Sequence, residues 1–228
     1  MKLSVAEKAS VDKVVVEKYN VAWFKLAEFV VRKEKERALG VYKLLSHSLP
    51  DDAFAAQLEG DLFMAFNDEK ACDAYHRAAK LYEKSGQHAH AALIYEQIML
   101  IRPENTEYVV QALSLYQSVK NDAKVARCAS QLARLLVKQG DFDAQNNLIA
   151  SLTDWPETLL PVQEACVVAL MEFHAAERQL IQDYLTVILQ TPGMRSANSK
   201  RLALFLAKVS ALDSTWHAWA CDFLKSHE

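Results

Sequence analysis

Apolar and small residues recur three and four positions apart along almost all of this 228-residue chain, the spacing that lines up one face of a helix. Downstream of residue 34 the pattern predicts helices over roughly 35–48, 51–66, 69–84, 87–101, 105–119, 122–138, 141–153, 157–173, 175–190, 195–210 and 213–226. The breaks between them carry turn or cap residues: Asn67-Asp68, Ser85-Gly86, Asn121-Asp122, Gly140-Asp141, Thr191-Pro192-Gly193 and Asp213-Ser214. Upstream, Leu3 to about Lys33 opens with a capping box, Ser4 with Glu7, and is expected as one long helix or two. The expected fold class is therefore all-α, with about twelve or thirteen antiparallel helices.

The helical pattern also repeats. Ala38, Tyr42, Leu45 and Pro50 return 53 residues later as Ala91, Tyr95, Ile98 and Pro103, and again as Ala144, Leu148, Ser151 and Pro156. In each copy the proline precedes an acid, Asp51, Glu104 or Glu157. Proline lacks the N–H that a helix start leaves unused, and a negative charge there suits the helix dipole. The middle units also align at an offset of 54, which pairs Phe54 with Tyr108, Lys84 with Lys138 and Gly86 with Gly140. Each period spans three helices. The expected organisation is one stack over 1–228: a helical extension over 1–17, three three-helix units over 18–173, and a degenerate capping unit over 174–228. In that last unit Val209 stands where the proline would fall.

Within each period the first two helices resemble a tetratricopeptide repeat. The first copy reads Trp23, Leu26, Ala27 and Val30, then Ala38, Tyr42, Leu45 and Pro50. The second reads Tyr75, Ala78, Ala79 and Tyr82, then Ala91, Tyr95, Ile98 and Pro103; the third reads Ala129, Leu132, Ala133 and Leu136, then Ala144, Leu148, Ser151 and Pro156. The resemblance implies a right-handed α-α superhelix whose first helices line a groove for a partner protein. It departs from the family in its period, since a tetratricopeptide unit is two helices. Some members of the family hold C-terminal carboxylates with Asn, Lys and Arg on successive first helices. The corresponding positions here include Lys25, Arg77 and Gln131 without the asparagines, which disfavours that activity.

Composition narrows the function classes. A net charge of −3 gives no global basic field for nucleic acid or anionic membrane. The N-terminal residues mix Lys, Glu and Asp without an apolar core, so no signal peptide is expected, and the longest strongly apolar run, Ala165 to Met171, is too short to span a bilayer. Cys72, Cys128, Cys166 and Cys221 form no Cys-x-x-Cys pair and read as buried thiols in a reducing, cytoplasmic setting.

Candidate chemistry is sparse. No phosphate-loop, dinucleotide, zinc-protease or serine-elbow motif is present, so neither catalysis nor a cofactor or metal is expected. His88 and His90 project about 200° apart on a helix and cannot readily share a metal. Glu172, His174 and Glu177 read as a polar cluster serving a helix end. Trp216, Trp219 and Phe223 form an aromatic stripe on the last helix, either a cap for the stack or a face for a partner or a second copy. A basic ladder is the sharpest feature. Lys80 and Arg134 are equivalent, as are Lys84 and Lys138, with Arg77 and Arg127 on the same helix faces. Together they are expected to make a positive surface that engages an acidic segment of a partner protein.

The resulting expectation is a non-catalytic scaffold or adaptor that binds a peptide or helix of another protein in a repeat groove, with no membrane insertion. The alternative is an RNA-binding helical repeat, which would need basic residues in nearly every unit. The repeat signature makes a direct prediction about stability. Enlarging Ala91 to Leu overpacks a helix contact and lowers stability by about 1–3 kcal/mol, read from denaturant unfolding. An unchanged midpoint would mean that the signature does not mark close packing.

Overall fold

The computed structural model describes residues 21–49, 51–152, 156–195 and 200–226. In chain order the helices are α1 (21–31), α2 (Lys35–Ser46), α3 (Asp52–Ala65), α4 (Lys70–Lys84), α5 (His88–Ile101), α6 (Thr106–Ser118) and α7 (Asp122–Gln139). They continue with α8 (Phe142–Ser151), α9 (Pro156–Phe173), α10 (Arg178–Gln190), α11 (Pro192–Arg195), α12 (Lys200–Leu212) and α13 (Ser214–Ser226). Among the described residues there is no strand. The expected extension over 1–17, its capping box and Pro50 lie outside the described residues.

The three-helix period is visible in the backbone at the helix ends. Lys33, Gly86 and Gly140 all have positive φ, at 60°, 74° and 75°, and so do Asn67 and Lys120, at 53° and 54°. Each follows a helix and takes part in the same pair of bonds. The next residue's N–H reaches back to a carbonyl five residues earlier: Glu34 to Phe29, Asp68 to Phe63, Gln87 to Tyr82, Asn121 to Tyr116 and Asp141 to Leu136, at 2.8–3.0 Å. These are Schellman caps, which satisfy carbonyls that a helix end leaves open. Glycine takes the left-handed conformation freely, whereas Lys33 and Lys120 adopt it against their own preference.

The chain packs as two compact units, Met1–Ile101 and Arg102–Glu228. The boundary falls within the second period, directly before Pro103. In the first unit, Leu26 and Phe29 of α1, Ala38, Tyr42 and Leu45 of α2 and Leu62 of α3 form one core. α4 lies against α3 and α5. It buries Ala71, Ala74, Tyr75, Ala78, Ala79 and Tyr82, so neighbours approach it over much of its circumference. The approach is tight at Gly60, where a Cβ would stand 2.5 Å from the Tyr75 ring.

In the second unit α7 packs on α6, α8 and α9, and α9 packs in turn on α10 and α12. α13 folds back on α12 and also meets α10. α7 buries Val125, Cys128, Ala129, Leu132, Ala133 and Leu136, the positions 54 residues after the buried set of α4. α3 and α6 match at an offset of 53 instead: buried Ala56, Gly60 and Leu62 of α3 answer buried Val109, Leu113 and Leu115 of α6.

The two units solve the same packing problem with different polar content. In the first, ring hydroxyls emerge from the core and donate to nearby oxygens: Tyr75 to Asp61 at 2.7 Å, Tyr95 to Glu83 at 2.8 Å, Tyr82 to Gln57 at 2.9 Å and Tyr42 to the Ala55 carbonyl at 2.9 Å. Burial, together with the bond to Asp61 and its charge, raises the Tyr75 pKa well above the phenol range. At the equivalent positions of the second unit Tyr75 becomes Ala129, and Tyr95 and Glu83 become Leu148 and Val137. With Tyr95 and Glu83, ring and acceptor are lost together, so neither is left without the other.

Three expectations need correction. Ala38 and Ala91 are fully buried with Tyr42 and Tyr95 beside them, but Ala144 is only half-buried and Ser151 is exposed. In that copy α8 turns Gln145 inward instead. The Gln145 amide donates to the Tyr184 hydroxyl and lies 3.4 Å from the Cys166 sulfur, so a polar contact replaces the small-residue notch. Burial pushes the Cys166 thiol up to about 12, the state of an inert thiol. Trp23 and Ala27, read as first-helix core positions, are exposed; α1 turns Leu26 and Phe29 inward. Finally, the break expected at Thr191-Pro192-Gly193 holds a short helix, α11, because Pro192 starts a helical turn of its own, and the helix expected over 195–210 is described from Lys200 on as α12.

Gly60→Ala is expected to lower stability by about 1–3 kcal/mol, because the Tyr75 ring cannot retreat without breaking its bond to Asp61. Lys120→Gly is expected to raise stability by about 1 kcal/mol by relieving the left-handed backbone. Denaturant unfolding of both variants checks the pair; a Gly60→Ala chain as stable as the native one, or a Lys120→Gly chain less stable than it, would contradict this reading of the helix contacts and caps.

Candidate functional site

The ladder residues are all exposed, and four of the six meet a carboxylate. On α4, Arg77 pairs with Glu59, and Lys80 lies 3.2 Å from Glu83 and over the Tyr95 ring. Lys84, at the end of α4, lines a cleft of about 340 Å³ that also includes Asp51 and Asp52. Asp51 itself caps α3 by accepting the Phe54 N–H at 2.5 Å. On α7, Arg134 pairs with Glu172 at 2.5 Å and Lys138 with Glu104 at 3.1 Å, and both cations sit over the half-exposed Phe173 ring at about 6 Å. Arg127 stands exposed one turn and more upstream. The charge of the ladder is thus largely met by its own neighbours, so the free positive strip expected from residue type alone is reduced to local ion pairs.

The aromatic stripe splits. Trp216 is 6% exposed and belongs to the core, with the Arg178 guanidinium 5.5 Å from its ring centre. Trp219 meets Trp216 edge-on at 6.0 Å and stacks on Phe223 at 5.3 Å, and both outer rings are half-buried. A partner face formed by all three is therefore corrected: Trp216 faces inward because α10 and α12 both lie against α13. His174 also has a structural position. Its Nε2 donates to the Val137 carbonyl at 2.7 Å, satisfying the last turn of α7, and its ring meets Phe142 edge-on. His90 stacks on Tyr82.

A second concave feature lies within the second unit, where α7, α9 and α12 frame a groove of about 860 Å³. Pro161, Ala165 and Val168 of α9 and Leu204, Phe205, Ala211 and Leu212 of α12 give it an apolar lining. Charged side chains frame it. Arg134 reaches from α7 to Glu172 of α9, and Arg201 of α12 grips Glu164 of α9 through two bonds, at 2.8 and 3.1 Å. Lys208 completes the lining. Leu204 is 67% exposed, a large apolar side chain held in solvent at the groove wall.

Of the sequence-identified residues, Arg134 of the ladder and Glu172 of the polar cluster enter this groove. Sequence reasoning missed the rest because residue type alone does not separate an exposed leucine such as Leu204 from a core one. Apolar side chains at 202, 204, 205, 206 and 209 occupy more than one helix face, and only Phe205 and Val209 are buried. That surplus of apolar faces was the available signal.

Among the described residues, no group of three or more His, Cys, Asp or Glu side chains is placed to hold a metal ion. No described helix is long and apolar enough to cross a membrane. No protein-family model matches the chain, and neither a curated protein nor a solved structure matches it.

The pairing of the ladder yields a measurable consequence. Glu104→Gln with Glu172→Gln removes the carboxylates that meet Lys138 and Arg134. Filter binding to polyuridylate at low salt is expected to be stronger in the double variant than in the native chain, with a steeper salt dependence. Equal binding would show that these glutamates do not mask the ladder.

Proposed function

We propose that this chain is a non-catalytic interaction scaffold of tetratricopeptide-like build, which holds a peptide or helix of another protein in the groove framed by α7, α9 and α12. The groove carries the reading: an apolar trough on the surface, with its charged side chains held in place by ion pairs, is suited to bury a partner's apolar side chains. The packing order supports it. α7, α9 and α12 are neighbours in succession, and each is followed by a helix that folds back on it, α8, α10 and α13. That is the hairpin-upon-hairpin plan of a two-helix repeat, and it accommodates the three-helix period by letting α9 act as a first helix. A reducing, cytoplasmic setting fits the buried thiols of Cys72, Cys128 and Cys166.

The test is site-specific photo-crosslinking in the source cell. A crosslinker at Val168 or Leu204 is expected to capture a discrete protein, whereas one at Asp183, on the exposed side of α10, is not. Leu204→Glu is expected to abolish that capture while moving the melting temperature by no more than about 2 °C, since Leu204 is a surface residue. Capture of RNA alone, or equal capture from all three positions, would overturn the proposal.

A further inference from the structure

We infer that the occupant of the groove is an amphipathic α-helix of a partner protein that carries an acidic residue on the flank facing Lys208; this rests on the reading of the groove as a protein-binding site.

Shape and hydrogen-bond inventory both point to a helix. On α9, Pro161, Ala165, Val168 and Glu172 follow one another at intervals of four, three and four, a straight row down one helix face. The row covers about 17 Å at the helical rise, or three turns. α12 lines the opposite wall over a comparable length, from Arg201 to Leu212. A trough between two helices of this length matches a third helix of about three turns laid along it. The small Ala165 and the modest Val168 on the floor allow its anchor side chains to approach closely.

An extended segment is the competing occupant, and the groove offers little to hold its backbone. Its walls are helices, which have no free strand edge. Four of its five charged side chains are already engaged with each other, Arg134 with Glu172 and Arg201 with Glu164. An extended chain laid here would bury N–H and C=O groups without partners, a strongly disfavoured state. A helix satisfies its own backbone and asks the groove only for apolar contact.

Charge then sets the flank. The lining holds three cations, Arg134, Arg201 and Lys208, against two anions, Glu164 and Glu172. With two ion pairs formed, Lys208 is the cation in excess, exposed on α12. An acidic residue on the occupant's adjoining flank completes the set and fixes its register.

The experiment is selection from a display library of random peptides about 16 residues long against the full chain, with counter-selection on Leu204→Glu. Enriched peptides are expected to carry apolar residues at helical spacing with an acidic flank, and to gain helical circular dichroism on binding. Lys208→Glu is expected to weaken those peptides about tenfold and to switch enrichment to basic flanks. Enriched peptides with period-two apolar alternation and no helix gain would overturn the helical occupant while leaving the scaffold reading intact. An acidic flank that survives Lys208→Glu unchanged would overturn the role of Lys208. No enrichment dependent on Leu204 would overturn both the occupant and the groove itself.

Discussion

Small residues stand among the buried positions of both α4 and α7, and the packing within each unit follows from that allowance. Ala78 and Ala79 on α4 and Ala129 and Ala133 on α7 are fully buried. Gly60 admits the Tyr75 ring against the backbone of α3. Interiors pack at the density of crystals, so a single methyl group at such a point displaces a whole helix. With α4 and α7 held on several sides, α3 and α5 in one unit and α6, α8 and α9 in the other have defined seats. The groove depends on this chain of contacts, because α9 is placed by α7 and α12 is placed by α9.

The parts of this scheme that rest on side-chain size and spacing were legible in the sequence. Ala38 and Ala91 with Tyr42 and Tyr95 announced buried contacts 53 residues apart. Gly86 and Gly140 announced helix ends, since glycine favours the left-handed cap. The caps at Lys33 and Lys120 gave no such signal, because a lysine there adopts the conformation under tertiary constraint and against its own preference. The third copy misled for a related reason. Its alanine and leucine keep their spacing, yet Gln145 finds a buried partner in Tyr184 and takes the inward position from Ala144.

The candidate site was less legible than the fold. Residue type marked the basic ladder, but charge is a property of surroundings: Glu59, Glu104 and Glu172 come to those cations from elsewhere in the chain, and Glu83 meets Lys80 from the next turn of α4. Arg134 links the two descriptions: it belongs to the ladder by sequence and to the groove by position. Its ion pair with Glu172 orders the rim and does little for overall stability, as is usual for exposed pairs. On the proposed reading, the apolar lining supplies the capacity to bind and the paired rim limits which partners fit.

Native-state hydrogen exchange tests the dependence on α4 and α7 most directly. If these two helices organise their units, the slowest-exchanging amides of the first unit lie in α4 and those of the second in α7, with α12 and α13 opening earlier. Slowest exchange in α12 and α13, or protection spread evenly over all helices, would contradict the account.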